Sequence, residues 1–540
     1  MTRSPDRRSA PTDHPSVHPA EAPHAEPRTV AWTVALSALV AVAAIAAIAL
    51  HRNGHNQGDD FALYLRQARS IFDGDTAQVV ADNRFAVLNS GGAFSPVAYP
   101  WVFPLLLSPF VKWWGLDYDR LKLVEVACFC AWIVLVHGIV RRRAGRLLAL
   151  AVVAVVATAP ALLAHTDQLL SEFPHALALG VFIWWLDRVK LQRDLIAAPT
   201  TQLVVVGLLG ALAYNVRRES VVLIGAIGVV QLVELFRAWR ADRSRRVPWL
   251  TLAMPHLAMI GSIVVFQLLL PSMLIPDSGD GPRFIPDRLG DYTGVLTRQL
   301  GIGRHPAIGA VVLALAVAGI VIGCIRRPRL DIPLAAIALF STATVSTHFR
   351  MVDRYYFQVL PWVLYFGAQA IIALVQLARR TEVRRFAPLV AAVPLLYLVA
   401  VHAAVLPGDI GDARDFDRSG RQQIGPTDPA MAPIYAAVEK YTEPDATVAY
   451  FRARTMTLLT DRRAFQTTSL ARIAQRADYF AQQRFSDYFQ PADDEAALTA
   501  AGLVEVWSNG RWILWRLPDH PPTQADLAAD AAGPASPAGP

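Results

Sequence analysis

Two adjacent carboxylates, Asp59 and Asp60, follow the first long apolar run of this chain and open the stretch GDDFALYLRQARSIFDGD. Asp60, Tyr64 and Ala68 recur at four-residue spacing, so on a helix they share one face. Asp is a preferred helix cap and suits the positive end of the helix dipole, so the pair could simply start an interfacial amphipathic helix. A carboxylate at a membrane surface could equally serve as a general base. With Glu172, His55 and His165 the pair also offers hard and borderline metal ligands, which leaves a divalent metal possible, although no close ligand motif such as HExxH occurs. Basic residues stand in two further segments, Arg217 and Arg218 in NVRRES, and His348, Arg350 and Arg354 in HFRMVDRYY. They could bind phosphate, or they could snorkel to headgroups and pair with Glu219 and Asp353.

What must position these groups is a membrane domain. Of 540 residues, 54% are hydrophobic and 18% charged, and the apolar ones come in long runs. A spanning helix needs roughly 20 apolar residues, because every backbone polar group must be satisfied within the segment. Val30 to Leu50 meets this without a charge, and it is too long, and sits behind too long a leader, for a signal peptide. Ten further runs follow: 124–140, 147–163, 169–186, 200–215, 220–236, 249–270, 306–325, 332–347, 355–377 and 386–406, giving about eleven transmembrane helices. The basic clusters at 141–146, 188–193, 237–246, 326–329 and 379–385 fall in every second loop, as does the N-terminal tail, so the N-terminus is expected inside and the C-terminus outside. The formal net charge of +7 reflects this bias and gives no argument for nucleic acid. One apolar stretch, YPWVFPLLLSPFVKWWG (99–115), would break the alternation as a span, and its prolines, Lys112 and tryptophans suit a re-entrant or interfacial segment. Cys128, Cys130 and Cys324 fall inside expected spans and read as small apolar residues, as His137 reads as a packed core histidine and Trp184 and Trp185 as belt residues.

The expected organisation is a cytoplasmic tail without periodicity (1–29), a transmembrane domain (30–406) with long external loops at about 51–123 and 271–305, an extracytoplasmic α/β domain (407–518) and an Ala/Pro/Asp-rich tail (519–540). In the α/β region APIYAAVEKY reads as an amphipathic helix, ATVAYF as a strand, LTDRRAF as a turn into another strand, and LVEVWSNGRWILWRL as a hairpin through Asn509-Gly510.

Four landmarks in order resemble the GT-C membrane glycosyltransferases, which use polyprenyl-phosphate sugars and include protein O-mannosyltransferases and lipid A aminoarabinose transferases. They are the acidic pair with its Asp-x-x-x-Tyr-Leu-x-x-Ala-Arg pattern, the 99–115 stretch beginning at Tyr99, LLSEFPHALALG (169–180) and DRYYFQVLPWVLYFG (353–367). The resemblance covers most of residues 30–380. It implies a GT-C fold, a catalytic carboxylate at Asp60 or at Asp59 one residue before, and a second acidic residue at Glu172, with His165 and Asp167 nearby. The family's first site is usually Asp-Glu, whereas alignment on Tyr64 and Ala68 puts Phe61 at the Glu position. The family's Ser-(Asp/Glu)-Pro also has its proline one residue earlier than Pro174.

On that resemblance the chain is expected to be an inverting glycosyltransferase (hexosyl or pentosyl) of the bacterial cytoplasmic membrane, with a polyprenyl-phosphate-linked sugar, a lipid, glycan or protein acceptor and the bilayer as its partners. The acceptor hydroxyl needs a base, and partial desolvation by aliphatic neighbours would raise a carboxylate towards working pH. The departing phosphate needs cations, for which Arg217, Arg218, His348, Arg350 and Arg354 are candidates; Tyr64, Tyr99 and Asp167 complete the expected substrate site. Arg283, Arg288, Arg298 and Arg304 are expected on a gate or solvated surface. Two other readings remain open: a transporter or flippase of lipid-linked glycans, disfavoured because no internal repeat is evident and the acids sit at the interface, and an inactive scaffold for the C-terminal domain.

Overall fold

A computed structural model describes residues 30–91, 96–244, 246–272, 285–346, 352–377, 381–492 and 494–518. His348, Arg350, Arg283 and both terminal tails lie outside the described residues.

The chain is a polytopic α-helical membrane protein. Its apolar runs form α1 (Val30–Leu50), α5 (Tyr118–Thr158), α7 (Glu172–Gln192), α8 (Thr200–Tyr214), α9 (Val222–Ala241), α10 (Trp249–Leu269), α12 (Pro306–Arg326), α13 (Pro328–Ser346), α14 (Leu360–Gln376) and α16 (Ala387–Arg418). Between them lie α2 (Asp60–Asp73), α3 (Thr76–Asn89), α4 (Val102–Trp114), α6 (Pro160–His165), α11 (Ile285–Gln299) and α15 (Thr381–Arg384). Helix α5 breaks at Gly145, whose φ of 79° and ψ of 176° are open to glycine and strained for other residues. Among the described residues seven helices, α1, α5, α9 with the turn before it, α10, α12, α13 and α16, are long and apolar enough to cross a membrane, and α4, α8 and α14 are shorter apolar helices, against about eleven spans read from the sequence. At about 1.5 Å per residue, α8 and α14 are shorter than a full hydrocarbon core. Helix α14 compensates by running through the middle of the bundle, where most of its residues are buried, while α10 presents Leu257, Val264, Leu268 and Leu269 outward to lipid. Lipid is as apolar as leucine, so close approach rather than water exclusion must hold such helices together. Gly319 of α12 lies directly against the Phe366 carbonyl of α14, and Gly207 of α8 against the Pro255 carbonyl of α10, leaving no room for a Cβ at either.

Charges mark the two ends of the bundle. At one, Arg143 is buried and bonded by its fork to Asp187, with Asp331 3.2 Å away and Tyr365 donating to Asp331 at 3.0 Å. Part of the 141–146 cluster, expected in a loop, is thus an internal ion network joining three spans. The segments expected on the external side converge at the other end. Lys122 is buried and bonds Arg52 O at 2.8 Å and Asp167 at 2.7 Å, while Gln423 reaches Asp167 at 3.0 Å. Segment 51–117 therefore leaves and returns at one end, and α4 within it is not counted as a span.

Two boundaries differ from expectation. Helix α16 continues through Arg418, twelve residues past the expected 406, because its apolar stripe passes without a break into the polar DARDFDR segment. In helix α2, expected at the membrane interface, nine of the fourteen residues are buried, between α4, α3 and the C-terminal domain. That domain contains α17 (Ala432–Tyr441), α18 (Ala453–Thr460), α19 (Leu470–Arg476) and α20 (Glu495–Ala500) around strands β1 (Thr447–Ala449), β2 (Arg463–Phe465), β3 (Tyr479–Gln483), β4 (Val504–Ser508) and β5 (Trp512–Arg516). The sheet order is β2-β1-β3-β5-β4, with β1 parallel to β2 and β3 and the other pairs antiparallel. The Asn509-Gly510 hairpin forms as read.

Candidate active site

The acidic pair at the start of α2 splits into two environments. Asp59 holds the N-cap position, yet its side chain makes no capping bond to α2. It turns to the C-terminal domain and accepts from the Thr455 amide (3.2 Å) and hydroxyl (3.1 Å). It is buried, with Oδ2 unpartnered. Burial pushes its carboxyl up, and Arg454 and Arg452 pull it back only in part. Neither the helix-cap reading nor a base open to substrate describes it.

Asp60 keeps 39% of its side chain exposed, enough for a reacting hydroxyl to reach it. Oδ1 accepts from the Tyr99 hydroxyl at 2.6 Å and lies 3.4 Å from Arg454, while Oδ2 faces Arg354 at 3.6 Å. Its polar neighbours are thus two cations and a phenol. Tyr99 is fixed on both sides: its ring stacks on Tyr64 at 4.3 Å, and its backbone exchanges two hydrogen bonds with the Gln67 amide (3.0 and 3.1 Å). Burial, and then the charge of Asp60, hold its hydroxyl well above the ordinary phenol range, so it stays a donor.

Behind Asp60, Glu172 opens α7 and is almost fully buried. Its Oε1 is shared by Arg217 (3.0 Å) and Arg354 (3.1 Å), and Oε2 lies 3.5 Å from His165 Nε2. Arg217 is further held by Glu219 at 2.7 Å and Ser171 at 3.3 Å, and Ser171 Oγ lies 2.9 Å from the Tyr64 hydroxyl. Both guanidiniums lie against the Tyr355 ring, at 5.0 and 5.5 Å. Burial opposes charge on Arg354 and Arg217, but the facing carboxylates outweigh it and raise both above the usual arginine value. Arg218 is spent on the loop, donating to Ala98 O at 2.8 Å. Four arginines (217, 218, 354, 454) and three carboxylates (60, 172, 219) leave an excess of one positive charge, suited to an anionic ligand.

The expected residues Asp60, Glu172, Tyr64, Tyr99, Arg217 and Arg354 are thus brought together. Asp167 is not with them: it ties Lys122, the Arg52 amide and Gln423, and burial pushes its carboxyl up to about 6 against the pull of Lys122. Arg298 closes a two-point bond on Asp353 (2.7 and 2.6 Å), anchoring the turn that carries Arg354. Arg454 was not singled out from sequence. The available signal was FRART, two arginines at the start of a helix, where the dipole disfavours cations.

Among the described residues no three His, Cys, Asp or Glu side chains are grouped to hold a metal. At Asp60 two guanidiniums face the carboxylate at 3.6 and 3.4 Å, so its charged neighbours are cations and not further metal ligands. A polar cavity of about 740 Å³ lies apart from Asp60, lined by Arg66, Asp73, Asp82 and Arg463 among others. Its charges are largely paired with each other, as in Arg66–Asp82 at 2.8 Å and Arg463–Asp82 at 3.2 Å.

No family model and no curated protein sequence matches the chain. Solved structures do. ArnT from Cupriavidus metallidurans in the apo state superposes with a TM-score of 0.53 at 13% identity, covering 90% of this chain and 97% of that one. The same protein bound to undecaprenyl phosphate gives 0.51 at 12%, covering 90% and 98%. The Archaeoglobus fulgidus oligosaccharyltransferase in the apo form gives 0.52 at 10%, covering 83% and 69%. At these identities the likeness establishes the fold, and the GT-C fold expected from the ordered landmarks is borne out over nearly the whole chain.

Proposed function

We propose that this protein is an inverting glycosyltransferase that moves a sugar from a polyprenyl-phosphate donor to an acceptor hydroxyl at the outer face of the bacterial cytoplasmic membrane. The observation that carries the reading is the half-exposed Asp60 carboxylate beside Arg354, in a chain with this fold. The ArnT neighbour bound to undecaprenyl phosphate supports a polyprenyl phosphate as the donor's carrier.

The chemistry follows from the two oxygens of Asp60. Oδ1 is engaged by Tyr99 and Arg454, which leaves Oδ2 to accept the acceptor's proton. The acceptor oxygen then forms its bond to the anomeric carbon as the bond to the phosphate oxygen breaks, and that electron pair leaves with the polyprenyl phosphate. Arg354, backed by Glu172 and Arg217, lies beside Asp60 to meet the departing charge without reorganisation. One displacement inverts the anomeric centre. Nucleotide sugars are absent outside the cytoplasm, so a lipid carrier is the donor available to an outward-facing site. The acceptor is a lipid, glycan or protein, and the transferred sugar a hexose or pentose.

The test is genetic and topological. Cells lacking the protein should lose one envelope glycan or lipid modification, restored by the wild-type chain. In intact cells an impermeant thiol reagent should label Ala77→Cys, exposed near the start of α3 in the segment that carries Asp60, and spare Ser244→Cys at the other end. An unaltered glycan profile, or the opposite labelling, would remove this reading.

A further inference from the structure

The pair Asp59-Asp60 meets the C-terminal domain at a single turn, the start of α18. Asp59 takes the amide and hydroxyl of Thr455, and the next residue, Asp60, takes Arg454. Arg454 is only 4% exposed and is gripped at three points of the first loop. Its Nε donates to Asn83 Oδ1 at 3.1 Å, Nη2 to Pro96 O at 2.9 Å, and Nη1 points to Asp60 Oδ1 at 3.4 Å, with the guanidinium 5.6 Å from the Tyr99 ring centre. A cation in the first turn of a helix runs against the dipole, and a buried one needs pairing. Both costs are met here by groups of the membrane domain, so Arg454 belongs to the site more than to its own domain.

We propose that the C-terminal domain is a working part of the transferase centre, with Arg454 as a positioning residue that fixes the Asp60 carboxylate through Oδ1 and leaves Oδ2 to the acceptor. This rests on the reading of Asp60 as the base. The Asp59–Thr455 contact sets the register of α18 one residue from Asp60, so a shift of the domain withdraws the guanidinium. Misplacing a reacting group by about 1 Å costs on the order of a hundredfold in rate.

The test uses membranes of deletion cells carrying the full chain with Arg454→Ala, Arg454→Lys, Arg463→Ala or Asp60→Asn, with their endogenous donors and acceptors. Formation of the product lost on deletion is followed beside undecaprenyl phosphate binding by the purified proteins. Arg463 bonds Asp82 at 3.2 Å at the same domain seam, half exposed, and controls for loosening of the interface. Arg454→Ala should lower turnover at least about thirtyfold, a clearly larger loss than any in undecaprenyl phosphate affinity. Arg454→Lys should retain part of the rate, millimolar guanidinium should restore part of it to the Ala variant, and Arg463→Ala should stay near wild type. The proposal is overturned if Arg454→Ala turns over like wild type, or if it and Arg463→Ala lose activity equally with no recovery in guanidinium. Asp60→Asn separates the two claims: when it is inactive such results sink the positioning role alone, whereas an active Asp60→Asn sinks the reading beneath it.

Discussion

Arg354 is held from behind and open in front. Its Nε lies on Glu172 and its Nη2 faces Asp60, with 24% of the side chain exposed, whereas Arg217 has most of its fork committed to Glu219, Glu172 and Ser171. A hydrogen bond to a charged group contributes about 1.5–3 kcal/mol net. Arg354→Ala should therefore weaken undecaprenyl phosphate binding roughly ten- to a hundredfold, at about 1.4 kcal/mol per decade. The same change leaves the Asp60 and Glu172 carboxylates less compensated, which repels phosphate and acts in the same direction. Arg354→Lys keeps the charge without the planar fork and should fall between. Tryptophan fluorescence of the purified protein in lipid nanodiscs, titrated with undecaprenyl phosphate and with uncharged undecaprenol, measures this. Binding by the Ala variant within about threefold of wild type, or equal losses for both lipids, would refute the assignment of Arg354 to the phosphate.

Glu172→Gln should destabilise the membrane domain by about 3–5 kcal/mol, because it removes the shared partner of two largely buried guanidiniums; unfolding of the variant in detergent measures it. His55 accepts from the Leu169 amide at 3.1 Å through Nε2 and so must be neutral; burial holds its ring down at about 3, well below the ordinary value of about 6.5. Stability from that neutral ring is present above about pH 6.5 and is lost as pH falls towards the folded value. Wild type should thus lose stability relative to His55→Gln by up to about 1.4 kcal/mol per pH unit between pH 6 and 4, read as the difference in unfolding midpoints. The difference is the informative quantity, since Asp167, held up at about 6, acts in the opposite sense over the same window. Asp59→Ala leaves the Thr455 amide and hydroxyl unpaired, which should cost about 1–3 kcal/mol and speed proteolysis of the segment joining α16 to α17.

The long apolar helices were legible because lipid imposes one rule, a long apolar run for each crossing. What sequence could not give was which polar groups meet. Asp59 and Asp60 are chemically alike and adjacent, yet α2 turns one towards Thr455 and leaves the other at Arg354, a choice made by contacts with residues 396 and 294 positions away. Asp167 and Glu172 lie five residues apart, and the turn before α7 sends one to Lys122 and the other to the two arginines. Arg143 read as a loop cation because Arg141, Arg142 and Arg146 stand beside it, and only the packing of α7 and α13 shows it paired with Asp187 and Asp331. Sequence favoured an interfacial α2 from its amphipathic spacing, but the C-terminal domain covers the polar face, which periodicity alone does not reveal.

The most direct measurement is the rate of product formation by Asp60→Asn and Asp59→Asn, side by side in native membranes, with undecaprenyl phosphate binding recorded for each. Asp60→Asn should bind the lipid phosphate and transfer no sugar, while Asp59→Asn keeps much of the wild-type rate. Sugar transfer surviving in Asp60→Asn, or vanishing only in Asp59→Asn, would contradict the assignment of Asp60 as the base.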